Sequence, residues 1–131
     1  MGYKRSARIL FLSGLHPATA NLAAHYGNRL GAQWMVARAA VLPETGGEVP
    51  VLDVATLEWA DLLVTLDAPA LKARPALRPG LQHRHYPFEP VPALTDKADW
   101  NDFARKIRLR IEGMIGGLRL LENASHADYD L

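Results

Sequence analysis

The sequence predicts a three-layer α/β sandwich built on a four-stranded, parallel, doubly wound sheet of order 2-1-3-4, with helices on both faces. Two observations carry this. The runs RILFLS and DLLVTLD are short, apolar and bounded by turn residues, as strands buried on both faces of a parallel sheet are. Between such runs lie segments with helical spacing, so the order reads strand, helix, strand, short helix, strand, helix, strand, helix. A chain of 131 residues fits one domain, spanning 1–131, and is short for two separate cores.

The first strand is placed at Arg8–Ser13, followed by a turn at Gly14-Leu15-His16. Pro17 suits the first position of a helix, where its missing N–H costs nothing. Leu22, Tyr26 and Leu30 continue that helix and Gly31 ends it. Trp34–Leu42 is the second strand, and Pro43–Pro50, with two glycines and two prolines, is a loop. Asp53–Ala60 is a short helix, Asp61–Asp67 the third strand, and Ala68–Leu77 a short helix with Pro69 in its first turn. Gln82–Tyr86 is a fourth, more polar strand, which suits a sheet edge. The three prolines of Pro87–Pro92 mark an ordered loop. Trp100, Phe103, Ile107, Ile111, Met114, Ile115, Leu118 and Leu121 form the core stripe of a closing helix, with Thr95 or Asp96 as its cap. Glu122–Leu131 is polar and acidic, and residues 123–131 are expected to fray.

Composition excludes several functions. With 49% hydrophobic and 22% charged residues the chain is globular in type. Fifteen basic against fourteen acidic residues, a net charge of +1, leave no basic stripe for nucleic acid. The absence of cysteine removes disulfides, cysteine–zinc sites and thiolate catalysis, and agrees with a cytoplasmic protein. The apolar runs are too short to span a bilayer, and the basic Met1–Arg8 is not read as a signal peptide, so no membrane partner is expected. No cofactor is implied. His83 and His85 share a strand face, but two ligands without a third make no metal site.

In a doubly wound sheet the ligand site lies beyond the carboxyl ends of the strands, near the point where strand order reverses. The first strand usually lies beside that point, so the loop Ser13–Thr19 is the default site. Ser13, Gly14, Leu15, His16, Ala18 and Thr19 are its candidate anion-binding residues, because backbone N–H groups at a helix N-terminus favour an anion.

The segment Ile9–Ala24 (ILFLSGLHPATANLAA) resembles the opening of low-molecular-weight protein tyrosine phosphatases and of the arsenate reductases built on the same fold. Trp34–Val41 is similar to the family's second strand, Asp61–Asp67 to its third strand and terminal Asp, Phe88-Glu89-Pro90 to its acid loop, and Trp100–Leu121 to its closing helix. The resemblance implies a phosphate-binding loop of the form Cys, five residues, Arg, Ser. Here the Cys position falls on Ser13, the Arg position on Thr19 and the Ser position on Ala20. Glu89 stands where an Asp acid is expected, Leu15 where the loop prefers Gly, and Pro17 removes one N–H from the cradle.

These departures bear on the chemistry. The family reaction implied by the resemblance needs an ionised thiol, an Arg fork on the phosphoryl oxygens and an acid for the leaving group. A serine hydroxyl stays protonated near neutral pH without an adjacent base, and His16 is the nearest candidate in sequence. Loss of one charge-stabilising donor commonly costs about a hundredfold in rate. The expectation is a catalytically degenerate protein that binds a phosphate, a phosphorylated small molecule or a protein partner. One alternative is a phosphoester hydrolase with a non-thiol mechanism using Ser13 or His16, with Glu89 as acid. Another is an interaction module working through Trp34, Trp59 and Trp100. For each residue a plain reading competes: Ser13 as a small turn residue, His16 as a solvated loop histidine, Thr19 as a packing or capping residue, Glu89 as a solvated carboxylate. Arg38 is a candidate for supplying the missing charge, or a surface strand residue.

Overall fold

A computed structural model describes residues 6–45, 47–76, 79–88 and 97–129, with side chains apart from those of 98 and 118–129. Its centre is β1 (Ala7–Ser13), in which Ile9, Leu10, Phe11 and Leu12 are all fully buried. A strand buried on both faces leaves no side for polar residues, which is why this run is apolar without alternation. On one side β1 pairs in parallel with β2 (Met35–Val41), and on the other with β3 (Leu62–Thr65). β4 (Gln82–His85) pairs with β3, so the order is β2-β1-β3-β4 and all four strands are parallel. The polar β4 lies at an edge, as its composition predicts.

Two apolar layers sandwich the sheet. On one face Ile9, Phe11, Ala37 and Val64 meet α1 (Pro17–Leu30) and α4 (Lys97–Tyr129) through Ala20, Ala23, Phe103, Ile107 and Ile111. On the other, Leu10, Leu12, Ala40 and Leu63 meet α2 (Val54–Trp59) and α3 (Ala68–Lys72) through Leu57, Trp59 and Ala70. The small residues of α1 let it sit close to β2: a Cβ on Gly27 would lie 2.8 Å from Met35 Cε. Pro17 begins α1 and Gly31 caps its end, donating its N–H to Gly27 C=O at 2.9 Å.

The element boundaries differ from expectation where turn chemistry intervenes. β2 is one residue shorter at each end than Trp34–Leu42, because Trp34 N–H folds back on Gly31 C=O at 2.6 Å. Asp53 and Ala60 cap α2 rather than belong to it, with Asp53 Oδ1 accepting from Thr56 N–H at 2.7 Å. α3 stops at Lys72, well short of Leu77, since Arg74 precedes Pro75 and a residue before proline avoids helical backbone. β4 ends at His85, and Tyr86 continues it only by donating to Thr65 C=O at 2.8 Å.

Trp100, assigned to the closing helix's core stripe, is 38% exposed and leans on Phe103. The helix is continuous to Tyr129, into the polar stretch from Glu122. The proposed cap residues Thr95 and Asp96 lie outside the described residues. Among the described residues no helix is long and apolar enough to cross a membrane.

Candidate functional site

β1 and β3 are adjacent, and their register pairs Leu12 with Thr65. Two residues further on, past both strand ends, Gly14 stands opposite Asp67. This register brings the loop after β1 onto the N-cap of α3. Gly14 is needed for the fit: a Cβ there would lie 2.7 Å from Pro69 Cβ and 3.0 Å from the Ala70 nitrogen.

The loop's polar groups converge on two side chains. Ser13 is fully buried and its hydroxyl donates to Asp67 Oδ2 at 2.7 Å. Gly14 N–H straddles the same carboxylate at 3.0 Å from each oxygen, and Leu15 N–H donates to Oδ2 at 3.1 Å. Ala70 N–H, at the start of α3, donates to Oδ1 at 2.9 Å. Ser13 Oγ in turn accepts from His16 N–H at 3.0 Å and from Leu15 N–H at 3.3 Å. Thr45 Oγ1 donates to Gly14 C=O at 3.2 Å and ties the loop to the segment after β2. The Asp67 carboxylate thus sits inside a ring of donors of the type that holds an oxyanion.

Of the residues singled out from sequence, Ser13, Gly14, Leu15 and His16 are brought together. His16 contributes its backbone N–H to this network; its imidazole makes no hydrogen bond to Ser13, and its side chain does not cap α1. Ala18 lies in the first turn of α1, and Thr19 is buried with its N–H on His16 C=O at 3.1 Å. Glu89 lies outside the described residues. Arg38 pairs with Leu10, well before the strand ends, and lies over the Trp59 ring at 4.2 Å, so it does not approach the loop. Asp67 is the residue that sequence reasoning missed as part of the site. The strand register was the available signal, because a β3 beside β1 places its terminal Asp against the loop.

The two histidines of β4 do share a face, and both meet one hydroxyl. Thr65 Oγ1 lies 2.9 Å from His83 Nε2 and 2.8 Å from His85 Nδ1, and Thr65 is fully buried. Burial, with Arg74 and His85 nearby, lowers the His83 pKa below its ordinary value. Among the described residues no three His, Cys, Asp or Glu side chains are grouped to hold a metal ion.

The architecture is that of low-molecular-weight protein tyrosine phosphatases and arsenate reductases. The chain is similar to a YwlE arginine phosphatase from Geobacillus stearothermophilus at 9% identity and TM-score 0.64, covering 90% of this chain and 96% of that one. It is similar to a thioredoxin-dependent arsenate reductase from Corynebacterium glutamicum at 14% identity and TM-score 0.62, covering 88% of this chain. In that case it spans 63% of the other chain, less than two thirds of its length. The low-molecular-weight protein tyrosine phosphatase of Streptococcus pyogenes is similar at 9% identity and TM-score 0.60, over 88% of this chain and 97% of that one. No family model matches the sequence, and no curated protein matches it. At these identities the likeness is one of fold.

Proposed function

We propose that this chain is a catalytically silent protein of the phosphatase and arsenate reductase fold, its phosphate loop held shut by its own Asp67, and that it works by recognising a protein partner. The observation that carries the reading is the 2.7 Å hydrogen bond from Ser13 to Asp67, with Gly14 and Leu15 N–H on the same carboxylate. Those N–H groups are the ones a phosphate would need, and the carboxylate supplies a resident negative charge that repels a second anion at contact distance.

Several features support the loss of turnover. The position of the nucleophile holds Ser13, which is buried and committed to a carboxylate rather than aimed at a substrate. The position of the phosphate-binding Arg holds Thr19, also buried. With no thiol at position 13 and no Arg or Lys within Ser13–Thr19, two main contributions to phosphoryl transfer in this fold are missing. Among the described residues Leu15, Trp34 and Trp100 are large apolar side chains that remain exposed, at 50%, 44% and 38%.

The test is a titration of inorganic phosphate against the wild type and Asp67→Ala, followed by the amide shifts of Gly14–Thr19, together with turnover of p-nitrophenyl phosphate. The expected result is no saturable shift in the wild type, saturable shifts in Asp67→Ala, and no turnover in either. Saturable wild-type shifts in the loop overturn the closed-loop reading. Turnover that disappears in Ser13→Ala overturns the catalytic silence.

A further inference from the structure

The odd-numbered residues of β2 turn their backbone groups away from the sheet. The ladder determines this: Ala7 N–H donates to Trp34 C=O at 2.9 Å and Leu42 N–H to Ser13 C=O at 3.1 Å, so the even positions serve β1. Along the outer edge, neighbouring odd positions are treated differently. Val41 donates to Pro50 C=O at 3.0 Å and accepts from Leu52 N–H at 2.9 Å. Ala37 is bonded on both sides by a single carboxamide: its N–H donates to Asn28 Oδ1 at 2.7 Å, and its C=O accepts from Asn28 Nδ2 at 2.9 Å. Asn28 therefore stands in for a peptide group, and the segment at Val51 stands in for a strand. Between them Ala39 has its N–H and C=O on the open edge, with no partner there among the described residues.

A cleft of about 490 Å³ opens at this gap. Its walls include His25 and Asn28 of α1 on one side and Val51 and Thr56 on the other, with Ala39 and Arg38 at its base. Its size is that of ligand pockets in general. The lining contains a guanidinium and an imidazole and no carboxylate. The nearby Asp53 carboxylate caps Thr56 N–H and also interacts with the Arg38 charge. The Arg38 guanidinium stacks by its face on Trp59, which leaves its N–H edge available for a carboxylate. Val51, 47% exposed, offers an apolar contact beside the slot.

We propose that this gap is a peptide-docking slot that takes one residue of an extended segment carrying an acidic side chain. In antiparallel pairing, a single partner residue exchanges both hydrogen bonds with Ala39. Two residues to either side, the places opposite Ala37 and Val41 are already filled by Asn28 and the Val51 segment, so the register is set to that one residue and its immediate neighbours. The side chain of that residue lies on the Ala39 face, toward His25, while an acidic side chain on the residue beside it lies on the opposite face, toward Arg38. The slot lies on the outer edge of β2, away from the Ser13–Thr19 loop, so it stands whether or not that loop is closed.

The experiment uses the full chain and the blocked peptide acetyl-Glu-Val-Glu-amide, with amide shifts of residues 36–41 as readout. The expected result is a saturable downfield shift of Ala39 N–H. N-methylation of the central Val removes the donor to Ala39 C=O and weakens binding about tenfold, the scale of one net hydrogen bond. Replacing both Glu residues by Lys weakens it about fivefold, the upper range for an exposed ion pair. Ala39→Pro abolishes binding, and because the Ala39 N–H faces outward the substitution removes no ladder bond. Ala39→Val, which keeps the N–H, retains binding. An unshifted Ala39, or equal binding by the N-methylated peptide, overturns the proposal. A wild-type dimer that dissociates in Ala39→Pro also overturns it, by making the occupant a second copy of this chain.

Discussion

The loop after β1 and the outer edge of β2 present the same kind of chemistry in opposite states. In the loop, backbone N–H groups gather at a helix N-terminus, and an internal carboxylate meets them. At the β2 edge an N–H and C=O pair lies between two surrogates and has no internal partner among the described residues. The loop occupies the place in the fold where ligands are expected, yet it is satisfied from within. Fold position alone therefore does not identify a binding site; what matters is which polar groups remain unmet.

Removing Asp67 tests the first half of that contrast and has the largest expected effect. Asp67→Ala takes the acceptor from Ser13, Gly14, Leu15 and Ala70 at once. Buried donors without acceptors and a lost helix cap cost about 2–4 kcal/mol together. A fall in Tm on the order of 10 °C is expected by calorimetry. Sulfate should recover part of that fall in the variant and leave the wild type unmoved, because an anion stabilises only a loop with room for it. Recovery of equal size in both proteins would erase the contrast between a filled loop and an open edge.

Ser13→Ala sharpens the same half. It removes the acceptor for His16 N–H and one donor to Asp67, but leaves the carboxylate in place. The expected cost is about 1–2 kcal/mol, less than that of Asp67→Ala. Combining Ser13→Cys with Thr19→Arg introduces a thiol and a guanidinium at the two ends of the loop. That variant is expected to stay inactive on p-nitrophenyl phosphate while Asp67 holds the loop. Activity in the double variant would show that Asp67 is no barrier.

Asn28→Ala tests the other half. It strips the carboxamide from both bonds of Ala37, at an expected cost of about 1 kcal/mol. It also lengthens the unpaired edge from one residue to two alternating positions. Exposed strand edges invite pairing between chains, so the variant should self-associate at concentrations where the wild type does not. Sedimentation velocity of the two proteins is the check.

Much of the fold was legible in the sequence because burial on both faces leaves a plain mark. Ile9–Leu12 and Leu62–Val64 are unbroken apolar runs, and their burial follows from being central strands. Pro17 and Gly31 marked the ends of α1 through backbone chemistry that needs no tertiary context. Strand and helix ends at Trp34, Asp53 and Lys72 were less legible, since caps and turn bonds decide them residue by residue. The turn between β1 and α1 was legible, but the contact that fills it was not, because Asp67 lies 54 residues from Ser13 and only the β1–β3 register joins them. The β2 edge was invisible for a related reason. A carboxamide at Asn28 bonding to Ala37 is a contact between a helix and a strand that no local pattern encodes.

The opposite edge of the sheet repeats the logic of the loop on a smaller scale and gives the smallest effect. On β4 both histidines turn to Thr65 Oγ1. The hydroxyl has one proton to donate, so one imidazole accepts it and the other donates its own N–H. Adding a proton to His83 places a charge in a partly desolvated position beside His85 and near Arg74, which is why its pKa lies below the ordinary 6.5. Folding thus favours the neutral ring. The associated stability is fully present above the unfolded-state value near 6.5 and is lost as pH falls below it toward the folded value. His83→Gln keeps a hydrogen-bonding group toward Thr65 and does not titrate. Its Tm should therefore fall less than the wild type's between about pH 7 and about pH 5. Parallel curves for the two proteins would mean that His83 protonates as readily in the folded chain as in the unfolded one, and that the β4 edge, unlike the loop, gains nothing from closing on itself.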